Sequence, residues 1–546
     1  MTQPETLGTS RSRRLAWCAS SLFVAAMLGC DESPSSPSTS TASALPAAPG
    51  AALQKVTVQA SFGGKPSPAR LHLKRGAEAW LPQSGAIAFR DHLVFDARIE
   101  FEAPAGEYAY EIERGPTFRE QRGTLVVAEG KETSLDVSFE RLADPEALGW
   151  FAGDLHNHRS AADTPELMRT EELRVAPIIT WWNGMMKYDP AQAEARLLPT
   201  GGVLDQTGGE DERVGGALMF FGLKQPLSLP PPLMDGKRYL HFHGDPRCEL
   251  PTATSLAREA QKDPGAHVSL EKPFWWDGPT HVALGLIDSF QLAHNHMRRK
   301  AASNRTAWGR ECDKKRFPHP VFGNGDCSVD IYYQFLEAGF HLPLSAGSAS
   351  GVHLNPLGYD RVYVHTGTFD HPEWWRGLAQ GRAFVTNGPL LFVRVNQQLP
   401  GHTFRLSAGE ALPLDLDVQI YSDAKIASVE LVQNAKVVSE GRRDDDGRVR
   451  FDATPLREGG WFLIRARTVE PRTFQFASTG PFYVEVADSP PRISRSAAAF
   501  FEGWVSERIA LIRKGKADPP RLEEMLAPQL EALEVYRRLG ARATAP

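Results

Sequence analysis

The sequence predicts an α/β protein whose barrel-like core of alternating strands and helices is flanked by an N-terminal and a C-terminal β-sandwich. Residues 54–141 and 391–486 alternate apolar and polar side chains with a period of two, the pattern of half-buried strands. Between them, a helical pattern at 165–173 is followed by a strand pattern at 175–182, and such alternation indicates βαβ units. The length of 546 residues allows roughly two to four domains.

The first thirty residues have the pattern of an export signal. Arg11, Arg13 and Arg14 precede the apolar segment 15–28, which is too short to span a membrane. The small residue before Cys30 resembles a bacterial lipobox. We therefore expect a lipoprotein signal peptide at 1–30 and a lipid anchor on Cys30 that holds an exported protein to a bacterial membrane, in the periplasm or at the cell surface. An ordinary cleaved signal is the alternative.

The next two segments are a tether and a small domain. Residues 31–50 are rich in Ser, Pro, Thr and Ala, so we expect a flexible linker. Residues 51–145 contain short alternating runs separated by turn signals such as Pro104-Ala105-Gly106. This region resembles the prealbumin-like or carboxypeptidase-regulatory-like β-sandwich modules of exported hydrolases. A spacer role is expected, with ligand binding as the alternative.

The remaining chain divides at residues 390 and 488. We predict the α/β core at 146–390, with helices at 253–261, 330–339 and 374–381 and strand patterns at 266–270 and 284–293. A second β-sandwich follows at 391–488, and two amphipathic helices, at 494–514 and 521–539, complete the chain. The glycine-rich run 323–326 is expected to be a loop at the rim of a pocket.

Charge and cysteine usage exclude some classes of protein. The net charge is −5 and the chain has no basic stripe, so nothing indicates nucleic-acid binding. Five cysteines are present, but none forms a Cys-x-x-Cys pair, which excludes a zinc ribbon. Of the three beyond residue 30, Cys312 and Cys327 are the better candidates for a disulfide, which export permits.

The most informative motif is Gly153-Asp154-Leu155-His156-Asn157-His158-Arg159, which follows the apolar pair Trp150-Phe151. At the end of a strand, His156 and His158 point to the same side. Neutral imidazole is the commonest protein ligand for divalent metals, and a neighbouring carboxylate such as Asp154 can orient it. The pattern therefore predicts a metal site at this strand end.

This motif resembles the first strand of the polymerase-and-histidinol-phosphatase (PHP) superfamily, and above all its CehA/McbA-type metallohydrolases. The resemblance extends from about Trp150 to Leu391. It includes, in chain order, Glu271-Lys272-Pro273, the segment 288–296, the segment 345–351 and the run Phe384-Val385-Thr386-Asn387-Gly388-Pro389. It implies a distorted (β/α)-type barrel with metal bound at the carboxyl ends of the strands.

Several family ligands are missing from this chain. Trp181-Trp182 stands where the family has Asp-His, Lys272 stands where it has the His of a His-Pro pair, and Gly347-Ser348-Ala349-Ser350 lacks the family's late acid. The remaining candidates suffice for one Zn²⁺, Mn²⁺ or Fe²⁺ with an open position for water. These candidate metal ligands are His156, His158, Glu271, His294 and His296. Asp154 is the candidate for a base or histidine-orienting residue, and Arg159 and Lys272 are the candidate cations for an anionic substrate or a developing oxyanion.

Three further readings stay open. Lys272 could replace the charge of the metal, which would make a pseudoenzyme. His241-Phe242-His243 could complete the site, although the basic residues before it favour a surface position. The pairs Trp181-Trp182, Trp275-Trp276 and Trp374-Trp375 could form a stacking surface for saccharides, with ordinary core packing as the alternative.

Taken together, these patterns predict an exported PHP-like hydrolase that cleaves a phosphoester, amide or carbamate bond of a small molecule or saccharide by metal-activated water. The alternative is a non-catalytic PHP-derived lipoprotein that binds a saccharide or a similar ligand. Stoichiometric metal in the purified protein distinguishes the two.

Overall fold

The computed structural model describes residues 52–231, 233–235, 238–239, 248–515 and 517–546. The predicted signal peptide, the Cys30 anchor, the linker 31–50 and the pair His241/His243 lie outside the described residues. Within those residues the chain is mixed α/β, with far more strands than helices. The expected α/β class is therefore confirmed at this coarse level.

The N-terminal region consists of two sheets that share one apolar core. A four-stranded and a six-stranded sheet contribute alternate side chains to it, such as Val58 and Phe101 from the first and Leu71 and Ile112 from the second. This arrangement is a β-sandwich. The strands are Leu53–Phe62, Lys65–Pro66, Ala69–Arg75, Glu78–Ala79, Ile87–Phe89, His92–Phe95, Arg98–Pro104, Gly106–Glu113, Gln121–Val127 and Thr133–Phe139.

The central region alternates strands with short helices. Its strands are Trp150–Gly153, Leu173–Val175, Ile179–Trp182, Met185–Met186, Arg196–Leu197, Val203–Leu204, Gly208–Arg213, Gly216–Phe221, Met234–Asp235, Arg238–Tyr239, His267–Leu270, Ser289–His294, Leu344–Gly347, Arg361–His365 and Ala383–Thr386. Its α-helices are Thr164–Glu171, Ala253–Ala260, Gly278–Ala283, Gly323–Glu337 and His371–Ala379, and single 3-10 turns lie at Glu146–Leu148 and Pro190–Gln192.

Seven of these strands form a sheet, and the segment 154–158 connects its last strand, Leu344–Gly347, with Ile179–Trp182 near its other end. The sheet runs from the hairpin at 179–186 through the strands at 208–221, 267–270 and 289–294 to Leu344–Gly347. The N–H of Leu155 donates to Ala346 O at 2.9 Å, and the N–H of Ile179 donates to Asn157 O at 2.8 Å. The His-x-His segment therefore closes a ring of hydrogen-bonded strands.

A second, larger sheet connects the central region with the C-terminal one. Strand Trp150–Gly153 pairs with Arg361–His365, and Ala383–Thr386 pairs with Phe476–Thr479. The sheet therefore continues through the domain boundary predicted at residue 390. The strands beyond it are Leu390–Val395, Thr403–Leu406, Leu416–Tyr421, Ile426–Gln433, Lys436–Arg443, Val449–Phe451, Gly460–Thr468, Phe476–Thr479 and Phe482–Val486.

Two C-terminal helices, Arg495–Lys514 and Pro519–Ala541, pack on the central region. Buried Arg508 donates from Nε to Oδ1 of Asp277 at 2.8 Å, and Tyr536 Oη donates to Pro279 O at 2.7 Å. These contacts fix the helix pair to the short helix at 278–283. None of the helices among the described residues is long and apolar enough to cross a membrane.

Two predicted elements differ in the structure. The apolar run 284–293 was predicted as one strand, but the strand is Ser289–His294, and the short helix Gly278–Ala283 precedes it. The run 323–326, predicted as a loop, is the first turn of helix Gly323–Glu337. The glycine there is needed for packing, since a Cβ on Gly325 would lie 2.3 Å from the ring of Phe474.

Candidate metal centre

The structure brings the two imidazoles of the His-x-His motif together at the closure of the ring. Nε2 of His156 lies 3.1 Å from Nε2 of His158. His156 is buried, while the side chain of His158 keeps 11% of its surface exposed. The site is therefore reached from the His158 side.

The third side chain at this point is Glu210, which the sequence analysis missed. It lies on strand Gly208–Arg213, with Oε1 3.6 Å from Nε2 of His156 and Oε2 3.2 Å from Nε2 of His158. Gly209 lets the strand approach, because a Cβ there would lie 1.7 Å from the ring of Trp181. In the sequence, Glu210 could have been identified by the acidic run Glu210-Asp211-Glu212, which lies inside an otherwise buried strand.

The geometry of these three side chains fits one divalent ion. Two nitrogens that ligate Zn²⁺ at about 2.0–2.1 Å are about 3.3 Å apart in a tetrahedral site, close to the separations in this group. The ligand atoms of His156, His158 and Glu210 all lie within 4.8 Å of one another. Oε2 of Glu210 is buried, faces Nε2 of His158 at 3.2 Å and forms no well-aligned hydrogen bond within the described part of the chain. A His₂Glu set is one that catalytic zinc sites use.

Glu271 lies on the other side of His156. Its Oε1 is 3.4 Å from Nδ1 of His156, and its Oε2 accepts a hydrogen bond from Nε1 of Trp275 at 3.0 Å. The carboxylate therefore faces the ring nitrogen that points away from His158. This is the position from which a carboxylate orients a metal-bound imidazole, the role that the sequence suggested for Asp154.

Lys272 is paired within the site. Its buried ammonium forms an ion pair with Glu271 and lies 3.4 Å from Oε1 of Glu212. Burial disfavours the charge, but the attraction of Glu271 and Glu212 outweighs it and raises the pKa of Lys272. Carboxylates therefore compensate the positive charge of Lys272. The sequence instead predicts that this charge faces an anionic substrate or an oxyanion.

His294 and His296 are buried near this centre but lie outside the ligand group. Nε2 of His294 is 3.0 Å from Oγ of Ser328, and its Nδ1 accepts from the N–H of His296 at 3.3 Å. Nδ1 of His296 is 2.9 Å from Arg305 O. Burial lowers the pKa of His294 to about 3, so the ring is neutral. Both histidines are predicted ligands. Both ring nitrogens of His294 have partners, and one of these partners, Ser328, connects His294 to helix Gly323–Glu337.

Asp154 supports the backbone around the site. Oδ1 accepts from the N–H groups of His156 and Ser348, each at 3.0 Å, and Oδ2 accepts from Ser348 Oγ and from the N–H of Gly358 at 2.6 Å. Burial raises its pKa, although these donors favour the carboxylate. Its oxygens are therefore occupied, which leaves no place for the predicted role of base.

Arg159 points to the N-terminal sandwich. Its guanidinium lies over the ring of Phe89 at 4.6 Å and 3.5 Å from Oδ2 of Asp163. The guanidinium therefore links the motif to the N-terminal sandwich. Its buried Nη1 has no hydrogen-bond partner among the described residues, and contact with a substrate stays a prediction.

The tryptophan pairs divide into core and rim. The first member of each pair is fully buried: Trp181 stacks on Phe220, Trp275 contacts Glu271, and Trp374 donates to Phe151 O. Of the second members, Trp182 lies beside the centre, with its ring 5.2 Å from that of His158. Trp276 and Trp375 are partly buried and pack against the same core, so core packing accounts for five of the six and one aromatic face borders the site.

Cys312 and Cys327 form a disulfide, the pair that the sequence favoured. The bond ties the loop after His296 to the start of helix Gly323–Glu337. Asn324, in the first turn of that helix, donates to Ser303 O at 2.8 Å.

Metal affinity should depend on pH through His156. Burial favours its neutral form, but the attraction of Glu210 and Glu271 outweighs burial and raises the pKa of His156 above 6.5. A proton therefore competes for the ring already above pH 6.5. We expect the apparent affinity for Zn²⁺ to fall about tenfold per pH unit below that pKa, in competition titrations with a chromophoric chelator. An affinity for Zn²⁺ that stays constant as the pH falls through the pKa of His156 would show that His156 is not a ligand.

Gly347 sets the position of His156. A Cβ on Gly347 would lie 2.4 Å from Cβ of His156 and 2.9 Å from Oε1 of Gln291. We therefore expect Gly347→Ala to displace the imidazole and weaken Zn²⁺ binding by a factor of ~10–100, measured by isothermal titration. Gly503→Ala is the control, because a Cβ at that helical position meets no atom within 4 Å. Equal affinities of the two variants would show that a Cβ at position 347 does not move the imidazole of His156 away from the ion.

Comparison with known proteins adds little to this geometry. No family model and no curated protein matches the chain. One solved structure returned by the comparison is a pilus-presented adhesin with 11% sequence identity, a match that covers 79% of this chain and 99% of that chain. Its TM-score is 0.11, so the likeness carries no argument about fold or function.

Proposed function

We propose that this protein is an exported metal-dependent hydrolase with a distorted PHP-like barrel. The observation that carries the proposal is the convergence of His156, His158 and Glu210 on one point, with their ligand atoms within 4.8 Å of one another. The ring of strands closed by the segment 154–158 supports the barrel assignment. Export and a lipid anchor on Cys30 belong to the same proposal and rest on the N-terminal pattern.

Each residue of the centre has a distinct proposed role. His156, His158 and Glu210 would hold a divalent ion such as Zn²⁺, Mn²⁺ or Fe²⁺. An ion held there would supply Lewis-acid chemistry, which lowers the pKa of a water molecule toward neutrality and polarises the bond to be cleaved. Glu271 faces Nδ1 of His156 at 3.4 Å, from where it would orient the ring, and Trp275 holds Glu271 by a 3.0 Å hydrogen bond. Asp154 keeps the closing segment in place.

The proposed substrate is a small molecule or saccharide with a phosphoester, amide or carbamate bond. Its binding face is expected on the side of His158, where the imidazole is partly exposed and the ring of Trp182 lies 5.2 Å away. An aromatic face beside a metal centre can stack on a flat or sugar group of the substrate.

One observation favours the alternative of a non-catalytic binding protein. The ammonium of Lys272 already compensates Glu271 and Glu212, as it would where a cationic side chain had replaced an ion. In that case the protein would fold without metal, and Trp182 would serve ligand binding alone.

Metal analysis and a hydrolase assay on the purified protein test the proposal. We expect about one equivalent of divalent metal per chain, and cleavage of at least one of bis(4-nitrophenyl) phosphate, 4-nitroacetanilide and phenyl carbamate that stops on chelation. A folded protein that contains no metal and takes up none from Zn²⁺, Mn²⁺ or Fe²⁺ solutions would refute the hydrolase and favour the binding protein.

A further inference from the structure

A cavity of about 320 Å³ lies where the N-terminal sandwich, the central region and the C-terminal region meet. Its lining includes Arg70 and Glu113 from the sandwich, Glu171 and Arg361 from the central region, and Arg472 from the C-terminal region. Small-molecule sites have volumes of about 300–1,000 Å³ and occur preferentially at domain interfaces. None of the three candidate metal ligands is among its described lining residues, so the cavity is separate from the metal centre.

The buried part of the lining is a network of ion pairs. Arg70 pairs with both Glu113 and Glu171. Arg361 donates from Nη2 to Oε2 of Glu171 at 2.7 Å and from Nη1 to the backbone O of Glu171 at 2.8 Å. Arg70, Glu171 and Arg361 are each at most 4% exposed. A satisfied polar network of this kind holds its members in fixed positions, so the wall offers hydrogen-bonding groups in a defined arrangement.

The charges of the lining nearly balance one another. Six basic and five acidic side chains contribute to it. Arg122 donates from Nε and Nη2 to the two carboxylate oxygens of Glu120, each at 2.6 Å, and Arg472 pairs with Glu470 through the same two groups. A guanidinium has five N–H groups and a carboxylate about four acceptor positions, so such pairs leave donors and acceptors unused. A charged ligand would have to displace one partner of a pair, whereas a hydroxyl group can both donate and accept.

The run 384–389, which the metal centre leaves unexplained, contributes another wall of the cavity. Its Asn387 lines the cavity, accepts from the N–H of Phe476 at 2.9 Å and donates from Nδ2 to Phe474 O at 2.8 Å. The partly buried Tyr359 adds an aromatic ring to the lining. Aromatic rings with a polar edge suit ligands that combine an apolar face with hydroxyl groups.

We propose that this cavity binds a neutral, hydroxyl-rich ligand of one or two rings, namely a mono- or disaccharide. The hydroxyl groups of the sugar accept from guanidinium N–H groups and donate to carboxylates, and the ion pairs of the lining stay intact. Because all three regions line the cavity, the bound sugar also holds them together. The site goes beyond the proposed hydrolase, since it uses other side chains than the metal centre.

Isothermal titration of the full chain with neutral sugars tests this proposal. The probes are glucose, galactose, mannose, N-acetylglucosamine, maltose and cellobiose, and at least one should bind at one site per chain. Arg122→Ala with Lys425→Ala should weaken that binding about tenfold or more, because it removes charged donors from the lining. Arg442→Ala with Lys436→Ala is the matched control, since both side chains are exposed on the C-terminal region and lie outside the lining.

Thermal unfolding shows whether these variants are folded. All four replaced side chains are exposed, so the midpoints without sugar should stay close to that of the wild type. A sugar that binds should raise the midpoints of the wild type and the control more than that of Arg122→Ala with Lys425→Ala, because it binds only the folded state.

The variant His156→Ala with His158→Ala separates this site from the metal centre. It should keep the sugar affinity of the wild type. Loss of sugar binding in it would place the sugar at the metal centre, which would overturn the cavity site and leave the hydrolase standing.

Three further results would overturn the proposal. The first is that no probe sugar binds. The second is that free arginine, free glutamate or inorganic phosphate binds while the sugars do not, which would show that the cavity takes a charged ligand. The third is an equal sugar affinity of Arg122→Ala with Lys425→Ala and of its control, which would show that the sugar binds elsewhere.

Discussion

Replacement of both His156 and His158 by alanine is expected to abolish metal binding, and with it all metal-dependent hydrolysis. The variant loses two of the three proposed ligands, and the remaining carboxylate of Glu210 cannot hold a divalent ion alone in competition with water. Loss of a single outer partner of a metal-bound histidine already costs about 10–100-fold in affinity, so loss of two ligands should exceed ~100-fold. Metal content after dialysis against a weak chelator measures the effect.

The matched control is the second buried His-x-His pair. His294→Ala with His296→Ala removes the same chemical groups from a neighbouring strand, but the structure gives these imidazoles contacts to Ser328 and Arg305. We therefore expect the control to keep about one equivalent of metal in its folded fraction. If this control loses the metal while His156→Ala with His158→Ala retains it, the site lies at the second pair and the centre described above is wrong.

Replacement of Asp154 by asparagine is expected to cause the largest loss of stability. The carboxylate accepts from the N–H groups of His156, Ser348 and Gly358 and from the hydroxyl of Ser348. Asparagine offers one oxygen, so its amide group would face donors that are left without an acceptor. An unsatisfied buried donor costs about 1–3 kcal/mol, so two of them should lower the free energy of unfolding by about 2–6 kcal/mol.

Thermal unfolding followed by circular dichroism measures this loss. Asp163→Asn is the control, because Asp163 follows the same motif but keeps 36% of its side chain exposed. We expect a midpoint several degrees lower for Asp154→Asn and almost no change for the control. Equal midpoints would show that the loops at 347–358 do not depend on Asp154.

Part of the candidate site could be predicted from local sequence. The alternation of side chains along an extended segment placed His156 and His158 on one side, and their Nε2 atoms lie 3.1 Å apart. The position of Glu271 directly after a buried strand also brought it to the centre. Each of these predictions uses the alternation of side chains within one short segment, and sequence periodicity is sufficient to show that alternation.

The candidate ligand Glu210 could not be found in this way. It reaches the histidines because strand Gly208–Arg213 pairs with Ile179–Trp182, which in turn bridges to Asn157. Two strand pairings between segments distant in sequence thus bring the third candidate ligand to the histidines. Two carboxylates also differ from their expected roles: Glu271, expected as a ligand, faces Nδ1 of His156, and Asp154, expected to orient a histidine or act as a base, accepts from backbone N–H groups.

By itself the sequence determined the mixed α/β class, the strand-rich regions at both sides of the core, and the strand end with two imidazoles. Each of these follows from the spacing of residues within a short segment. Only the tertiary structure decided which acids and cations share the centre, and that His294 and Arg159 turn to other partners. The reason is physical: ligand geometry requires atoms within a few ångströms of one another. That proximity is created by ring closure through residues 154–158, which hydrogen bonds between remote strands produce.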